Sequence, residues 1–375
     1  MNNSSQVLEM LKEIPFQKIR DSPTVKYYTD WKIFESMLEL DYASEYQWET
    51  ELLKFRPDVI MYSDKVEMVS DKVAATTLTG GYRDYSDVYR RGDKFINKME
   101  AYHRFRNRYI LKLDFNGEVD GYTIVSPSHK GFLPNHLLIN VEEGSRVTLN
   151  LVDLGLDNGL KTLFVETNVG ERAELKINYI FIHGGETAVY NEFISNVGES
   201  AELDFLFLGF GGRMTHIRSN VDLIGRESKG YTYGSLIARG DTKTDVITNV
   251  THHGDYSDSV LSVRGGILDG GYLVHRGAAR ILNRSHEAST AVKSYLTIFG
   301  DKGTAHSIPM LEVDTGIVAG ASHSTSVSRL DEYRIFYLKK MGLSEPEIID
   351  MLLRAYVEYS GVAEVFEVDW RSLIK

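Results

Sequence analysis

The 375-residue sequence contains no cysteine. This excludes disulfide bonds, thiolate catalysis, and any iron–sulfur or zinc site held by the chain's own thiolates. No uncharged apolar run approaches the roughly 18–20 residues that a membrane-spanning helix needs. The first residues, Met1 to Gln6, lack the basic and apolar segments of a signal peptide. We therefore expect a soluble, cytoplasmic protein that does not enter a membrane.

The sequence also has fewer basic than acidic residues. Lys and Arg total 42 against 53 Asp and Glu, which gives a formal net charge of −11. Binding to a nucleic acid would need a large basic surface, and this composition does not supply one. Basic residues do cluster between His103 and Arg108, and we interpret that cluster as the solvated face of a helix. The composition predicts that no nucleic acid is a partner.

Three segments share one alternation of apolar and polar residues. Each contains a glycine, and the spacings between these glycines are 26 and 28 residues: Gly144, Gly170 and Gly198. Apolar residues follow each glycine at offsets of three, five and seven, a period of two that indicates β-strands. A strand unit that recurs at a nearly constant spacing indicates coils stacked on one another. Prolines are nearly absent from this region, as expected where strands donate hydrogen bonds on both sides.

The repeats predict a mainly β protein built as a β-helix of stacked strand coils. In such a stack, equivalent apolar residues lie above one another in the interior. We expect this of the leucines at offset five, which are Leu149, Leu175 and Leu203. A solenoid of this kind is commonly a platform, so its function is expected on its surface or at its ends.

The chain divides into three regions. Residues 1–130 form an N-terminal helical and mixed region, and within it residues 1–56 are predicted to be polar and helical. Residues 131–322 form the β-helix core. Residues 323–375 form a C-terminal helical domain, with one helix over residues 329–341 and a second that opens with a capping box. Two helices at this position are expected to cover the unpaired strand edge of the last coil or to bind a partner.

Two groups of polar residues allow other chemistry. Four histidines could supply metal ligands: His252, His253, His275 and His286. The first two are adjacent in a strand and point to opposite faces, so they cannot easily share one ion. Three carboxylates on neighbouring coils would suit a polysaccharide lyase or hydrolase, in which two positioned acids transfer protons. They are Asp245, Asp255 and Asp269.

The sequence from Ala321 to Ser344 resembles the Suf scaffold family, SufB and SufD. In that family a Cys-x-His-x-x-Thr segment leads into a Phe-Tyr-Leu-x-x-Arg-Gly helix and turn. Upstream, Pro-Met-Leu-Glu-Val at residues 309–313 is similar to the family's Pro-x-Leu-Glu-Ile. The resemblance covers about residues 135–360 and is most specific in the C-terminal block.

The resemblance implies a right-handed parallel β-helix and a non-catalytic scaffold role in iron–sulfur cluster assembly. It implies pairing through the β-helix with a SufB-like or an identical subunit. It also implies docking of the SufC ATPase on the C-terminal helices. The residues expected to contact SufC are Tyr333, Phe336, Tyr337, Leu338, Leu352 and Leu353.

His323 is the candidate ligand for iron or a cluster at the subunit interface. The resemblance implies that the chain alone binds no cofactor and that iron or a cluster resides there only transiently. Ala321 stands where the family often has cysteine, and the SufB cysteine that receives sulfur is missing. The chain therefore resembles SufD more than SufB. Met341 replaces the family's usual arginine, which bears on SufC docking.

Two other classes of function remain open at this stage. One is a carbohydrate-active β-helix enzyme, and the other is a purely structural homodimer. His323 itself could be a structural hydrogen-bonding residue rather than a metal ligand.

Overall fold

The computed structural model describes residues 11–47, 56–80, 97–155 and 157–373. Strands account for 54% and helices for 13% of these described residues, and the strands form a β-solenoid of about eight turns with short helices at both ends. This confirms the predicted mainly β architecture. Each coil contributes one strand to each of two sheets, and within each sheet the successive coils pair in parallel.

The two sheets alternate along the chain. The first contains β1 (Glu45–Gln47), β4 (Ala74–Thr79), β5 (Tyr109–Phe115), β7 (Ser128–Val141), β9 (Gly159–Val169), β11 (Ala188–Val197), β13 (Met214–Leu223), β15 (Lys243–His252), β17 (Tyr272–Ile281) and β19 (Thr304–Val313). The second contains β2 (Val59–Met61), β3 (Val66–Met68), β6 (Glu118–Ser126), β8 (Arg146–Gly155), β10 (Glu174–His183), β12 (Glu202–Phe210), β14 (Lys229–Arg239), β16 (Asp258–Leu268), β18 (Ala288–Phe299) and β20 (Val318–Arg329).

The helices lie before and after the coils. They are α1 (Trp31–Glu35), α2 (Lys98–Arg106), α3 (Glu332–Lys340), α4 (Glu345–Val357), α5 (Val362–Val365) and α6 (Trp370–Leu373). In the part of the chain that the structure describes, none of them has the length and apolar character needed to traverse a bilayer. The predicted capping box opens α4, where the Ser344 backbone N–H donates to the Glu347 carboxylate at 2.8 Å.

The register of the coils corrects the predicted leucine stack. Leu175 pairs with Leu203 as expected, but its partner in the preceding coil is Val147. Leu149 lies one inward position further along and pairs with Ile177. The coils in this part of the solenoid therefore repeat every 28 residues. Aligning the three sequence segments on their glycines displaces the first segment by two residues.

The displacement has a physical cause in the turn between the sheets. One turn position is left-handed in six coils, with φ between 52° and 66°, and only its first copy is glycine: Gly144, Arg172, Ser200, Glu227, Tyr256 and Glu287. Two residues earlier, glycine is required for another reason, because a Cβ on Gly170 would lie 2.8 Å from the Val141 carbonyl oxygen. Glycine thus marks two different positions of the same turn, one for left-handed φ and one for close approach.

Apolar residues form three cores. The largest fills the space between the two sheets. A second lies on the outer face of the first sheet, where α1 and α2 pack. A third lies on the outer face of the second sheet under α4 and the segments after it. The early and middle coils are therefore covered on the inside and on both outer faces.

The N-terminal region departs from its prediction. Apart from α1, described residues 11–47 are mostly turns and irregular segments rather than helices, because they pack individually on the first sheet. Predicted helical positions near Leu8 and Trp48 lie outside the described residues. The basic cluster is also not a solvated helix face. His103, Arg104 and Arg106 are at most 2% exposed, since α2 lies against the sheet.

A buried ion pair lies at one corner of the early coils. The Lys161 ammonium is 2.6 Å from Asp153 Oδ1, and both side chains are fully buried. The ammonium also donates to the carbonyl oxygens of Leu154 and Ser126, at 2.6 and 2.9 Å. On the other carboxylate oxygen, Asp153 accepts a hydrogen bond from Tyr179 at 2.9 Å. Paired and hydrogen-bonded in this way, the two charges are tolerated in the interior.

The two ends of the solenoid differ. At the first coil, β4 pairs antiparallel with β5, and β3 pairs antiparallel with β2. At the other end, β19 and β20 are the terminal strands of their sheets. The C-terminal helices do not cover this edge as predicted, because α4 packs on β14 and β16 and α5 on β10 and β12. Nor does the helical region begin at residue 323, since β20 runs to Arg329.

Candidate functional site

His323 ends a ladder of interior side chains. Successive Cα partners across the second sheet are Leu149, Ile177, Phe205, Thr232, Leu261, Val292 and His323. Every member before His323 is buried, whereas His323 is exposed. Since side chains alternate along a strand, His323 points to the same face as Val292, toward the interior. It is exposed only because no further coil covers it.

Neighbouring side chains complete this open end. Ala321, Thr325 and Val327 share the inward face of β20 with His323 by the period of two. The Thr325 hydroxyl donates to the Ser307 hydroxyl on β19. Leu311 on β19 is partly buried and packs against the main core. The open end is therefore a mixed surface of small, apolar and hydroxyl side chains with one imidazole.

The imidazole of His323 is free to accept a new partner. Among the described residues, no side chain forms a hydrogen bond or an ion pair with it. Nor does the described part of the chain contain a group of three His, Cys, Asp or Glu side chains placed to hold a metal ion. Neutral imidazole is a good ligand for iron. An ion at His323 would therefore need its other ligands from outside the described part of the chain.

The last coil also presents backbone and apolar groups. As the terminal strands of the described sheets, β19 and β20 each have a neighbour on one side only. Their outer edges carry N–H and C=O groups that can pair with another strand. Met310, Ile317 and Val327 are exposed nearby. This combination is typical of a surface that associates with a second β structure.

Helix α3 is the second exposed apolar feature. Tyr333, Phe336 and Tyr337 are 82%, 58% and 66% exposed, and Met341 just after the helix is 66% exposed. The Lys340 ammonium lies 5.1 Å from the centroid of the Phe336 ring. A short helix with this many uncovered large side chains is suited to a protein partner.

The other predicted contact residues are less accessible. Leu338 is partly exposed, and Leu352 packs partly on the core over the second sheet. Leu353 is 1% exposed and lies against the position of Gly266 on β16. Its side chain holds α4 on the sheet, so we correct its assignment from partner binding to packing.

The four other histidines do not converge on a metal site. His252 is buried, and its two ring nitrogens lie 2.8 Å from the hydroxyls of Ser257 and Ser259. Burial lowers the pKa of His252 to about 4. His253 points away, as predicted, and lies 3.0 Å from an Asp222 oxygen. The remaining two have separate neighbours, Thr248 for His275 and Asp255 for His286.

The three carboxylates do not form a proton-transfer pair. Asp255 and Asp269 lie in exposed turns, each next to its own basic residue. Asp245 is fully buried and is paired with Arg276 and hydrogen-bonded to Thr29. Burial alone would raise its pKa, but the Arg276 guanidinium and the neighbouring hydrogen bonds outweigh this and hold the pKa of Asp245 well below its usual range. A general acid requires the opposite shift.

Sequence reasoning missed the feature that places His323. The residue stood out by its position near the C-terminal helices, but its place in the interior ladder depends on strand register. An apolar residue occurs at most of the equivalent positions in earlier coils, so a correct 28-residue alignment carries the signal. Near the end of a repeat array, a polar residue at a position that is apolar in earlier coils indicates the last coil of the stack.

Comparison with known proteins identifies the family. Residues 124–356, more than half of the chain, match the family model for the SUF system FeS cluster assembly SufBD core domain. An iron-sulfur cluster assembly SufBD family protein of Mycobacterium bovis is 22% identical over 292 residues, covering 72% of this chain and 73% of that protein. A SufBD family protein of Staphylococcus saprophyticus is 25% identical over 203 residues, covering 54% of this chain and 43% of that protein. The chain therefore belongs to the SufBD family of iron–sulfur cluster assembly proteins.

Proposed function

We propose that the protein is a non-catalytic, SufD-like scaffold subunit of the SUF machinery. It pairs through the open end of its solenoid with a SufB-like subunit or a second copy of itself, and α3 with its surroundings docks a SufC-like ATPase. The observation that carries the proposal is the placement of His323. It is an interior ladder residue left uncovered at an edge that can accept another β structure.

Pairing at this end follows from ordinary sheet chemistry. A second solenoid placed against β19 and β20 would satisfy their outward backbone groups and cover Met310 and Val327. It would also bring its own end residues next to His323. Iron or a cluster, which is the cargo of this machinery, would then have ligands from both subunits. Because this chain has no cysteine, any thiolate would have to come from a SufB-like partner and not from a second copy.

ATPase docking is supported by the exposed face of α3. Tyr333, Phe336 and Tyr337 are each more than half exposed, so packing within the fold does not account for them. Aromatic residues of this kind supply most of the binding energy in many protein interfaces. The carbohydrate-active alternative has no comparable support, because Asp245 is sealed from solvent and carries a lowered pKa.

The test is His323→Ala in the assembled complex with the SufB-like and SufC-like subunits. Because His323 is exposed and makes no side-chain hydrogen bond among the described residues, we expect an unchanged melting temperature and unchanged subunit binding. Iron content and cluster absorbance should fall.

His286→Ala, another exposed histidine in a turn near the last coil, serves as the control and should retain loading. Normal loading with His323→Ala would refute the ligand role. A lowered melting temperature with normal loading would instead make His323 a structural residue.

A further inference from the structure

A hairpin-like N-terminal segment, residues 17–31, crosses the outer face of the first sheet toward the open end. Its two arms start together over β13. There the Trp31 indole N–H donates to Gln17 Oε1 at 3.0 Å, and the Trp31 ring lies 5.3 Å from the His216 ring. We call this segment the N-terminal hairpin.

Both arms then advance across the coils. The Arg276 guanidinium on β17 donates to Asp21 Oδ1 at 2.9 Å. The Tyr28 ring lies 5.1 Å from the ring of His306 on β19, the last strand of the sheet. The hairpin therefore runs from β13 to β17 in one arm and to β19 in the other, and its tip follows these contacts.

The tip is a closed turn. The Asp21 N–H donates to the Lys26 carbonyl oxygen and the Ser22 N–H to the Val25 carbonyl oxygen, both at 3.0 Å. The Tyr28 N–H donates to Asp21 Oδ2 at 2.7 Å and ties the base together. Residues 22–27 lie beyond this base and bend at 23–26, and three residues on each side of the turn span at most about 10 Å. The upper limit corresponds to about two strand spacings, so the tip is long enough to meet a strand placed next to β19.

Buried polar contacts fix the base on the sheet. The Thr29 hydroxyl donates to the buried Asp245 carboxylate at 2.6 Å, and Arg276 donates to the same carboxylate at 3.1 Å. Lys243 on β15 is 2.9 Å from Asp30. These charge-assisted bonds hold the arms in one orientation, so the direction of the tip is set by the fold.

The surface of the hairpin differs from the rest of the chain. Lys18, Arg20 and Lys26 are exposed and form no ion pair with any described residue. Ile19 is 79% and Tyr27 38% exposed. The chain as a whole carries a net charge of −11. A basic and apolar projection on an acidic protein is complementary to the surface of another copy of that protein.

We propose that the N-terminal hairpin clasps the last coil of a second copy of this chain. The inference rests on the end-to-end pairing proposed above. When the partner's edge strand continues the first sheet, the tip lies over the outer face of that strand. On β19 this face carries Met310, which is 59% exposed, and Glu312, which is half-exposed and lies 3.4 Å from Arg280 of its own chain. The apolar and cationic residues of the hairpin match those two side chains.

The absence of native cysteine makes a direct test simple. Chains carrying only Thr24→Cys are mixed with chains carrying only Met310→Cys and treated with a short thiol-reactive cross-linker. Because the two cysteines are on different chains, a link between them must cross the subunit interface. We expect a covalent dimer containing both variants, identified by mass spectrometry. Pairing Thr24→Cys with Glu118→Cys, an exposed position on the first coil, should give no link.

Charge reversal gives an independent readout. Lys26→Glu should weaken self-association by about threefold to tenfold at low salt, with a smaller effect at high salt. Lys176→Glu makes the same charge change on β10, far from the open end, and should leave the dissociation constant unchanged. Sedimentation velocity measures both variants.

The outcomes separate the two proposals. A wild-type dimer with neither the cross-link nor an effect of Lys26→Glu overturns the clasp while leaving end-to-end pairing intact. A wild-type chain that stays monomeric at all concentrations overturns self-pairing and the clasp together. A link from Thr24→Cys to a SufB-like subunit only, with no link between copies of this chain, also refutes the clasp as stated.

Discussion

The early coils and the last coil have the same strand geometry but opposite surroundings. Around β8 and β10, each interior side chain lies between two neighbours, and helices or irregular segments cover both outer faces. At β20 the same ladder position holds His323 and is open. In a solenoid, burial at a given position depends on whether a further coil follows. The end of the array can therefore display core-type positions as a binding surface.

If the covered coils carry the stability of the fold, the buried ion pair should be the most sensitive point. Lys161→Met leaves the Asp153 carboxylate buried without its cation, and we expect a loss of roughly 3–5 kcal/mol in the free energy of unfolding. Urea denaturation measures it. Lys130→Met removes an exposed lysine 3.8 Å from Asp157 and should cost less than about 1 kcal/mol. Equal effects would contradict the contrast between the regions.

Truncation of matched leucines compares the interior with the open end directly. Leu175 is 1% exposed between Val147 and Leu203, so Leu175→Ala should cost roughly 2–5 kcal/mol. Leu311→Ala at the open end should cost less in the isolated chain, because Leu311 is only partly buried. In the paired protein, where the end is covered, the cost of Leu311→Ala should increase. A cost independent of pairing would argue against coverage of this end.

Buried histidines should make the free energy of unfolding depend on pH. Burial lowers the pKa of both His252 and His275 to about 4, whereas an unfolded histidine titrates near roughly 6.5. The unfolded chain therefore binds more protons below that value. The contribution of these two histidines to the free energy of unfolding is fully present above about pH 6.5. It is lost as the pH falls toward 4, by at most about 1.4 kcal/mol per pH unit for each histidine.

Urea unfolding between pH 7.5 and 5 in wild type and in His275→Gln measures this effect. The variant should show a smaller pH dependence, whatever its absolute stability. An unchanged slope would show that His275 does not stay neutral in the folded protein.

The smallest effect on stability is expected on α3. Tyr333→Ser combined with Phe336→Ser should change the free energy of unfolding by no more than about 0.5 kcal/mol, because both side chains are exposed. Binding to the SufC-like ATPase should be lost. These substitutions are preferable to removal of residues 327–375, which would also strip Leu353 from the core over the second sheet. Retained binding in a pull-down would place the docking site elsewhere.

The sequence predicted the strands well because their period of two is local. It predicted the capping box of α4 for the same reason, since Ser344 and Glu347 are three residues apart. Register was harder. The turn can use glycine at two positions, and Gly144 occupies one whereas Gly170 occupies the other. Only the long-range pairing of strands distinguishes them.

Packing between segments that are distant in the chain could not be predicted from local sequence patterns. The basic residues of α2 have the composition of a solvated face, yet Arg104 is buried in an ion pair with Glu100 at 2.9 Å. Leu352 and Leu353 are adjacent and equally apolar, but the orientation of α4 buries the second more completely. The family resemblance singled out His323, while its uncovered interior position became evident only from the coils.

The bare edge of β19 and β20 also bears on how much of this protein a cell can tolerate. An unpaired strand edge accepts any extended segment that reaches it, including those of unfolded chains and of other copies in the wrong register. If the proposed pairing covers this edge, copies that remain unpaired keep it exposed and are prone to aggregate. Under the proposed pairing, coverage of this edge would therefore also protect the chain against aggregation.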